Sequence, residues 1–414
     1  MRTLIASLLV VVLSHVARAE NWPQFRGPDG QGHATTTNLP TSWSETENVT
    51  WKVPLPGEGW SSPVVWGEQI WLTTALEGGK SLRALCVDRT SGKLVHNVEV
   101  FKIDEPESVN AKNSYASPTP VIEEGRVYVH FGTNGTACLS TETGSILWTN
   151  QTLKLEHKEG PGSSPILYNG YLIVNCDGLD VQYVVALDKH TGKIVWKTPR
   201  TGEIHSNPDF RKAYSTPLIV HASGHDELVS TGAQQVMGYD PDTGAELWKV
   251  RYTGFSNVAR PVIGDGLVYV VTDFARPQLW AIQPGGHGDV TEKRVRWKLA
   301  KQAGASPSPL LVEGSLYLVT NRGVASCVDA ASGDILWTQR LGGDYSASPL
   351  AADGRIYIGC ENGTTFVIAP GKEYKLLAEN QLDGRIMASP AAVDHAIFLR
   401  SDTHLYRIEK RQKP

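Results

Sequence analysis

The chain has 414 residues, 41% hydrophobic and 20% charged, an ordinary globular balance that argues against a disordered or fibrous protein. Its formal net charge of -4 lacks the basic footprint of a nucleic-acid binder. The 40 glycines and 24 prolines are spread along the chain, which suits many short strands joined by turns.

Residues 1–19 read as a secretory signal. Arg2 supplies a positive start, Leu4 to Leu13 is apolar, and Ala17-Arg18-Ala19 is a small-x-small cleavage site before Glu20. The apolar run is too short to span a hydrocarbon layer of roughly 30 Å, and no second long run follows, so no transmembrane segment is expected. No cysteine follows the cleavage site, which argues against a lipid anchor there. The expectation is an exported protein of the periplasm or cell envelope, monomeric, with a 20–48 extension ahead of one domain over 49–414.

From residue 62 onward the chain repeats itself. A small residue followed by proline opens an apolar run at Ser62-Pro63, Ser117-Pro118, Ser164-Pro165, Thr216-Pro217, Ser308-Pro309, Ser348-Pro349 and Ser389-Pro390, with Arg260-Pro261 as a variant. Eight such steps, 40 to 55 residues apart, match one four-stranded propeller blade each. Every unit continues in the same order. A glycine turn such as Glu124-Gly125-Arg126 leads to a strongly apolar second strand, then a third strand, then a turn such as Asp188 to Gly192. The fourth strand carries Trp148, Trp196, Trp248, Trp297 or Trp337, read here as blade-to-blade packing. Strands apolar on both faces fit blades sandwiched between neighbours. Proline at the strand start fits an inner edge lining the channel, because it cannot donate to a ladder.

The last unit lacks a fourth strand, while Thr50-Trp51-Lys52-Val53 reads like the fourth strands Val195-Trp196-Lys197-Thr198 and Leu247-Trp248-Lys249-Val250. The sequence therefore predicts an all-β, eight-bladed β-propeller of four-stranded antiparallel blades, closed by an N-terminal strand near 49–54 that completes the last blade and removes an open edge.

The pattern D-x-x-T-G-x-x-x-W, seen from Asp188 to Trp196 and from Asp240 to Trp248 and degraded from Asp329 to Trp337, resembles the pyrroloquinoline-quinone (PQQ-type) repeat family over roughly residues 49–410. One group of that family contains quinoprotein alcohol and sugar dehydrogenases, many with adjacent cysteines and a calcium-ligand set; this chain has neither a Cys-Cys pair nor a C-x-x-C-H haem segment. The other group resembles BamB, a scaffold of outer-membrane protein assembly that binds proteins and no quinone. The start Asn21-Trp22-Pro23-Gln24-Phe25-Arg26-Gly27-Pro28 is similar to exported proteins of planctomycete-type bacteria.

Five cysteines at wide spacing, Cys86, Cys138, Cys176, Cys327 and Cys360, do not form a disulfide framework. Three of them sit in the similar strings ALCVD, TACLS and ASCVD, as core residues at a repeated strand position do. The loops entering the inner strands converge on a funnel. They bring Trp60, Tyr115, Tyr214 and Tyr345 to one rim with Glu58, Lys112, His157, His205, Arg211 and Arg260. Trp60, Tyr115, Tyr214, Arg260 and Tyr345 are the candidate ligand- or cofactor-binding residues, since aromatics stack and cations pair with carboxylates. The longest loops, 101–116 and 199–215, are the expected recognition elements. His157, Glu159 and His205 are acid–base candidates, but lie on different blades. Asp240 and Asp242 read as turn residues, and no metal site is expected. The leading functional expectation is a non-enzymatic scaffold that binds an envelope protein and needs no cofactor. The alternatives are a pyrroloquinoline-quinone-dependent oxidoreductase and a glycan-binding module.

Overall fold

The computed structural model describes residues 20–222 and 224–411; the signal sequence read above lies outside them. Eight antiparallel four-stranded sheets follow one another in chain order around an axis. The first runs from Val64–Trp66 through Gln69–Leu76 and Ser81–Asp88 to Leu94–Lys102. The seventh runs from Leu350–Ala352 to Lys375–Gln381. In the eighth, Ala391–Val393, Ala396–Arg400 and His404–Glu409 are completed by Val49–Pro54. Val49 pairs with Ile408 and Pro54 with His404, antiparallel, with a bulge between Val49 and Trp51. The ring is thus closed by the strand expected from the sequence. Two edges gain short parallel additions, Gly288–Asp289 outside the fourth blade and His33–Ala34 inside the seventh. Among the described residues no helix is long and apolar enough to cross a membrane.

The small residue before proline has a definite task. An inner strand has no neighbour to accept its first N–H, and a buried orphan N–H is costly. Here that N–H donates to the hydroxyl at the same step of the next blade. The links run Ser62 to Thr119, Thr119 to Ser164, Ser164 to Thr216, Arg260 to Ser308, Ser308 to Ser348, Ser348 to Ser389, and Ser389 back to Ser62, all at 2.9–3.1 Å. Only the step from Thr216 to Arg260 lacks a hydroxyl to receive it. This register moves the second blade's step by two residues, from Ser117-Pro118 to Thr119-Pro120. Ser117 instead closes a local turn, donating to Asn113 Oδ1 at 2.5 Å and bonding Ser114.

The fourth-strand tryptophans bind successive blades. Trp148 donates its indole N–H to the Lys189 carbonyl at 2.9 Å and lies flat on Gly192, where a Cβ would stand 2.4 Å from the ring. Gly192 is also at φ +70°, so the turn demands glycine twice over. The arrangement recurs: Trp51 bonds Arg89, Trp196 bonds Pro241, Trp297 bonds Ala330 and Trp337 bonds Gly371. Trp248 departs from it, donating to the buried Glu227 carboxylate of its own blade at 2.6 Å. Asp240 binds the N–H groups of Asp242 and Thr243, as its turn reading requires. All five cysteines are buried and unpaired, and Cys86, Cys138 and Cys327 each face an aromatic residue of the preceding strand: Trp71, Tyr128 and Tyr317.

Residues 20–48 are packed beneath the ring. Trp22 exchanges backbone bonds with Val65, the Pro23 carbonyl takes the Ile122 N–H, and the Gly32 carbonyl takes the Ala351 N–H. Gln31 Oε1 accepts from Ile263 N, and Arg26 donates to the Pro309 carbonyl at 2.7 Å. Trp22, Leu39 and Trp43 belong to the largest buried apolar cluster, shared with blades one, seven and eight. One short segment therefore ties together inner strands from both halves of the ring and closes its lower end.

Candidate functional site

At the opposite end the channel opens as a funnel with a cavity of about 420 Å³. Its waist is made by the linked hydroxyls Ser62, Thr119, Ser164, Thr216, Ser348 and Ser389, and Phe25 of the N-terminal segment also lines it. Trp60 and Met387 line the wall near blades eight and one, Tyr214 and Phe274 the wall near blades four and five. Glu159 and Lys112 are its charged lining residues.

The structure separates the five aromatic and cationic candidates. Trp60 and Tyr214 line the cavity. Tyr115 turns away, its ring over Gly79 in the packing between blades one and two. Tyr345 is fully buried over Gly323. Arg260 is buried as well and points below the waist, donating to the Phe25 carbonyl at 2.6 Å. Glu58 stays outside, paired through its backbone with Ala75. Phe25, Phe274 and Met387 were not expected; for Phe25 the only signal was an aromatic residue in a segment rich in Gly and Pro.

The three longest funnel loops, 103–120, 151–165 and 200–217, interlock into one ledge. Asn113 Nδ2 donates to the Glu159 and Pro161 carbonyls, and Asn110 Nδ2 to Glu159 Oε2. Lys158 pairs with Asp209 at 2.5 Å, and Tyr214 Oη donates to the His157 carbonyl at 2.8 Å. Arg211 closes the third loop on the His205 and Ser206 carbonyls. Across the mouth, Lys112 and Arg385 both reach Glu361, at 3.3 and 3.5 Å, and Arg385 stands 5.9 Å from the Trp60 ring centre.

The acid–base candidates do not converge. His205 packs edge-on against Phe210 near the exposed end of the third loop. His157 is buried beneath the ledge, its Nε2 accepting the Thr133 N–H at 3.0 Å, and Glu159 is held by Asn110 and Lys212. Burial holds two histidines neutral. It pushes His130 down to about 3, with nearby His157 adding to the effect, and His157 down to about 4. The unfolded chain takes up these protons near the ordinary 6.5, while the folded chain does not. Stability should therefore fall as pH drops below that value, by about 1.4 kcal/mol per pH unit per histidine, until the folded values are reached. Chemical denaturation from pH 6.5 to about 4.5 should show a shallower slope in a His130→Asn/His157→Asn variant than in the parent; equal slopes would contradict this.

The resemblance to quinoproteins implies a quinone with a calcium ion, and the described side chains offer no cluster that fits the calcium. Among the described residues no group of three His, Cys, Asp or Glu gathers to hold a metal ion, and the lining carboxylate Glu159 is already engaged.

Fold and site together define an eight-bladed propeller with a single-mouthed funnel. The family profile described as outer membrane protein assembly factor BamB matches residues 180–291 and 277–387, and the chain belongs to this PQQ-type propeller family. It is 23% identical to outer membrane protein assembly factor BamB of Yersinia pestis over 199 residues, 44% of this chain and 47% of that one. It is 30% identical to the quinoprotein ethanol dehydrogenase of Pseudomonas aeruginosa over 142 residues, 31% of this chain and 22% of that one. The chain thus spans about half the length of the first relative and less of the second. Among solved structures, BamB from Moraxella catarrhalis superposes with a TM-score of 0.62 at 12% identity, covering 87% of this chain and 99% of that one. A europium-containing methanol dehydrogenase superposes at 0.68 and 12%, covering 94% and 91%. These likenesses concern the fold, and they include an assembly factor and dehydrogenases alike.

Proposed function

We propose that the protein is an exported, non-enzymatic binding propeller of the cell envelope that docks a protein partner on its funnel face. The observation that carries this reading is the interlocked ledge. Loops 103–120, 151–165 and 200–217 are the longest on that face, and their mutual bonds through Glu159, Asp209 and His157 fix them before any partner arrives. A surface ordered in advance avoids the ordering cost that weakens association, and long loops on a rigid scaffold are where recognition concentrates. The family's scaffold members support the same reading. Photocrosslinking from an exposed ledge position tests it: a discrete adduct with an envelope protein is expected, whereas alcohol or sugar oxidation by the purified protein with quinone and calcium added would overturn it.

A further inference from the structure

The waist of the funnel is a ring of donors without acceptors. Each of Ser62, Thr119, Ser164, Thr216, Ser348 and Ser389 already accepts a backbone N–H. A hydroxyl so engaged still has its own hydrogen to give, and none of the six finds an acceptor among the described residues. All six are more than nine-tenths buried and line the cavity. The indole N–H of Trp60, another lining residue, is buried and likewise unpartnered. The cavity offers donors and asks for acceptors.

Its surroundings are positive as well. Arg26 and Arg260 are buried around the N-terminal segment that contributes Phe25, bonded only to neutral partners: Arg26 to the Pro309 and Gln31 carbonyls, Arg260 to the Phe25 carbonyl and Gln24. Arg400, behind the waist, donates to Ser61 and the Thr73 carbonyl. None of the three has a carboxylate within ion-pair distance among the described residues; Asp29 is the one acid that acts on the first two from farther away. Burial, and for Arg26 the neighbouring Arg260, pushes Arg26 down to about 9 and Arg260 to about 10, so both stay charged at neutral pH. Cations set in low-dielectric walls project their field into the cavity they flank. By contrast Glu159, the lining carboxylate, is neutralised by Lys212.

We propose that the funnel is a binding site for a small organic carboxylate, its anionic end on the hydroxyl ring and its apolar body among Trp60, Tyr214 and Met387. A cavity of about 420 Å³ lies within the range of small-molecule sites, and its lower end is closed by Phe25 and the segment around it. Tyr214 and Glu159 belong both to this cavity and to the ledge, but a small molecule at the hydroxyl ring and a partner on the exposed loops are read by different experiments, and either can fail without the other.

The test uses the mature protein with benzoate as probe and benzamide, its uncharged analogue, as control, followed by calorimetry. Saturable benzoate binding is expected, at least about tenfold tighter than benzamide. Arg260→Lys keeps the cation and should keep the affinity. Arg260→Ser removes the cation, adds an eighth hydroxyl, and should weaken benzoate by about tenfold while leaving benzamide unchanged. Absence of saturable benzoate binding, or equal affinity for the two probes, would overturn the proposal without any variant. So would benzoate affinity that is unchanged in a folded Arg260→Ser protein. Binding confined to acidic peptides, with free benzoate inert, would also overturn it.

Discussion

A variant lacking residues 20–55 is expected to show no cooperative thermal transition and to aggregate. The deletion removes Val49–Pro54, which pairs with the His404–Glu409 strand on its outer side, and exposes that edge to pairing with other chains. It also strips Trp22, Leu39, Trp43 and Leu55 from the largest buried cluster, and removes Trp51, whose ring lies over Gly92 of the first blade. Losing a single large buried apolar side chain typically costs about 2–5 kcal/mol, and this deletion removes several at once from a fold whose net stability is of the order of 5–15 kcal/mol. Deleting only 20–48 separates the two roles of the segment. That variant retains the closing strand and should still unfold cooperatively, at a lower temperature, with the lower end of its funnel opened. An unchanged melting temperature after removal of 20–55 would contradict closure of the ring.

The second large effect is expected at the joint between neighbouring blades. Trp148→Ala should lower stability by about 3–5 kcal/mol, as removal of a buried aromatic does. The ring packs on Tyr128 and Gly192, and its N–H is spent on Lys189 of the next blade, so the substitution opens a gap between blades and leaves that carbonyl without its donor. Gly192→Ala attacks the same joint from the other side, placing a methyl 2.4 Å from the indole at a φ of +70°. Leu94→Ala, on an exposed outer strand, is the control and should change little. Melting temperatures that match the parent in both joint variants would refute the packing role of the tryptophan.

Much of the architecture was legible because propeller repeats write long-range contacts into local strings. The small residue before proline, the D-x-x-T-G turn and the fourth-strand tryptophan are all parts of joints between blades, so one blade's sequence announces its neighbour. At Ser117-Pro118-Thr119-Pro120 two steps stand in tandem, and Thr119 rather than Ser117 joins the ring. Which hydroxyl serves the ring depends on Ser62 N and Ser164 Oγ, some 45 or more residues away in each direction. Trp248 departs from the joint pattern because the following blade replaces the usual turn with the 283–294 insertion, and the indole turns to Glu227 instead.

The funnel was legible only in part. Loop positions placed Trp60 and Tyr214 on the face that bears the cavity, but which way a loop side chain turns depends on partners distant in sequence. Gly79 leaves room for the Tyr115 ring, Gly323 for Tyr345, and the Phe25 carbonyl draws Arg260 downward. The buried bidentate pair between Arg200 and Asp177, at 2.5 and 2.7 Å, carried no local signal at all. Nor did the role of residues 20–48, several of whose partners, Arg260, Ile263 and Pro309, lie more than 230 residues ahead. The serines were recognised as strand markers, while their second property, a free hydroxyl hydrogen facing the channel, follows only from the closed ring.

The most direct measurement of the binding role is site-specific photocrosslinking in intact cells that make the protein. One probe replaces Ser108, exposed on the ledge, and a second replaces Glu313, exposed in a hairpin turn at the opposite end of the ring. The account predicts a discrete adduct with an envelope protein from position 108 and none from position 313. Adducts of equal yield from both positions, or from 313 alone, would contradict it.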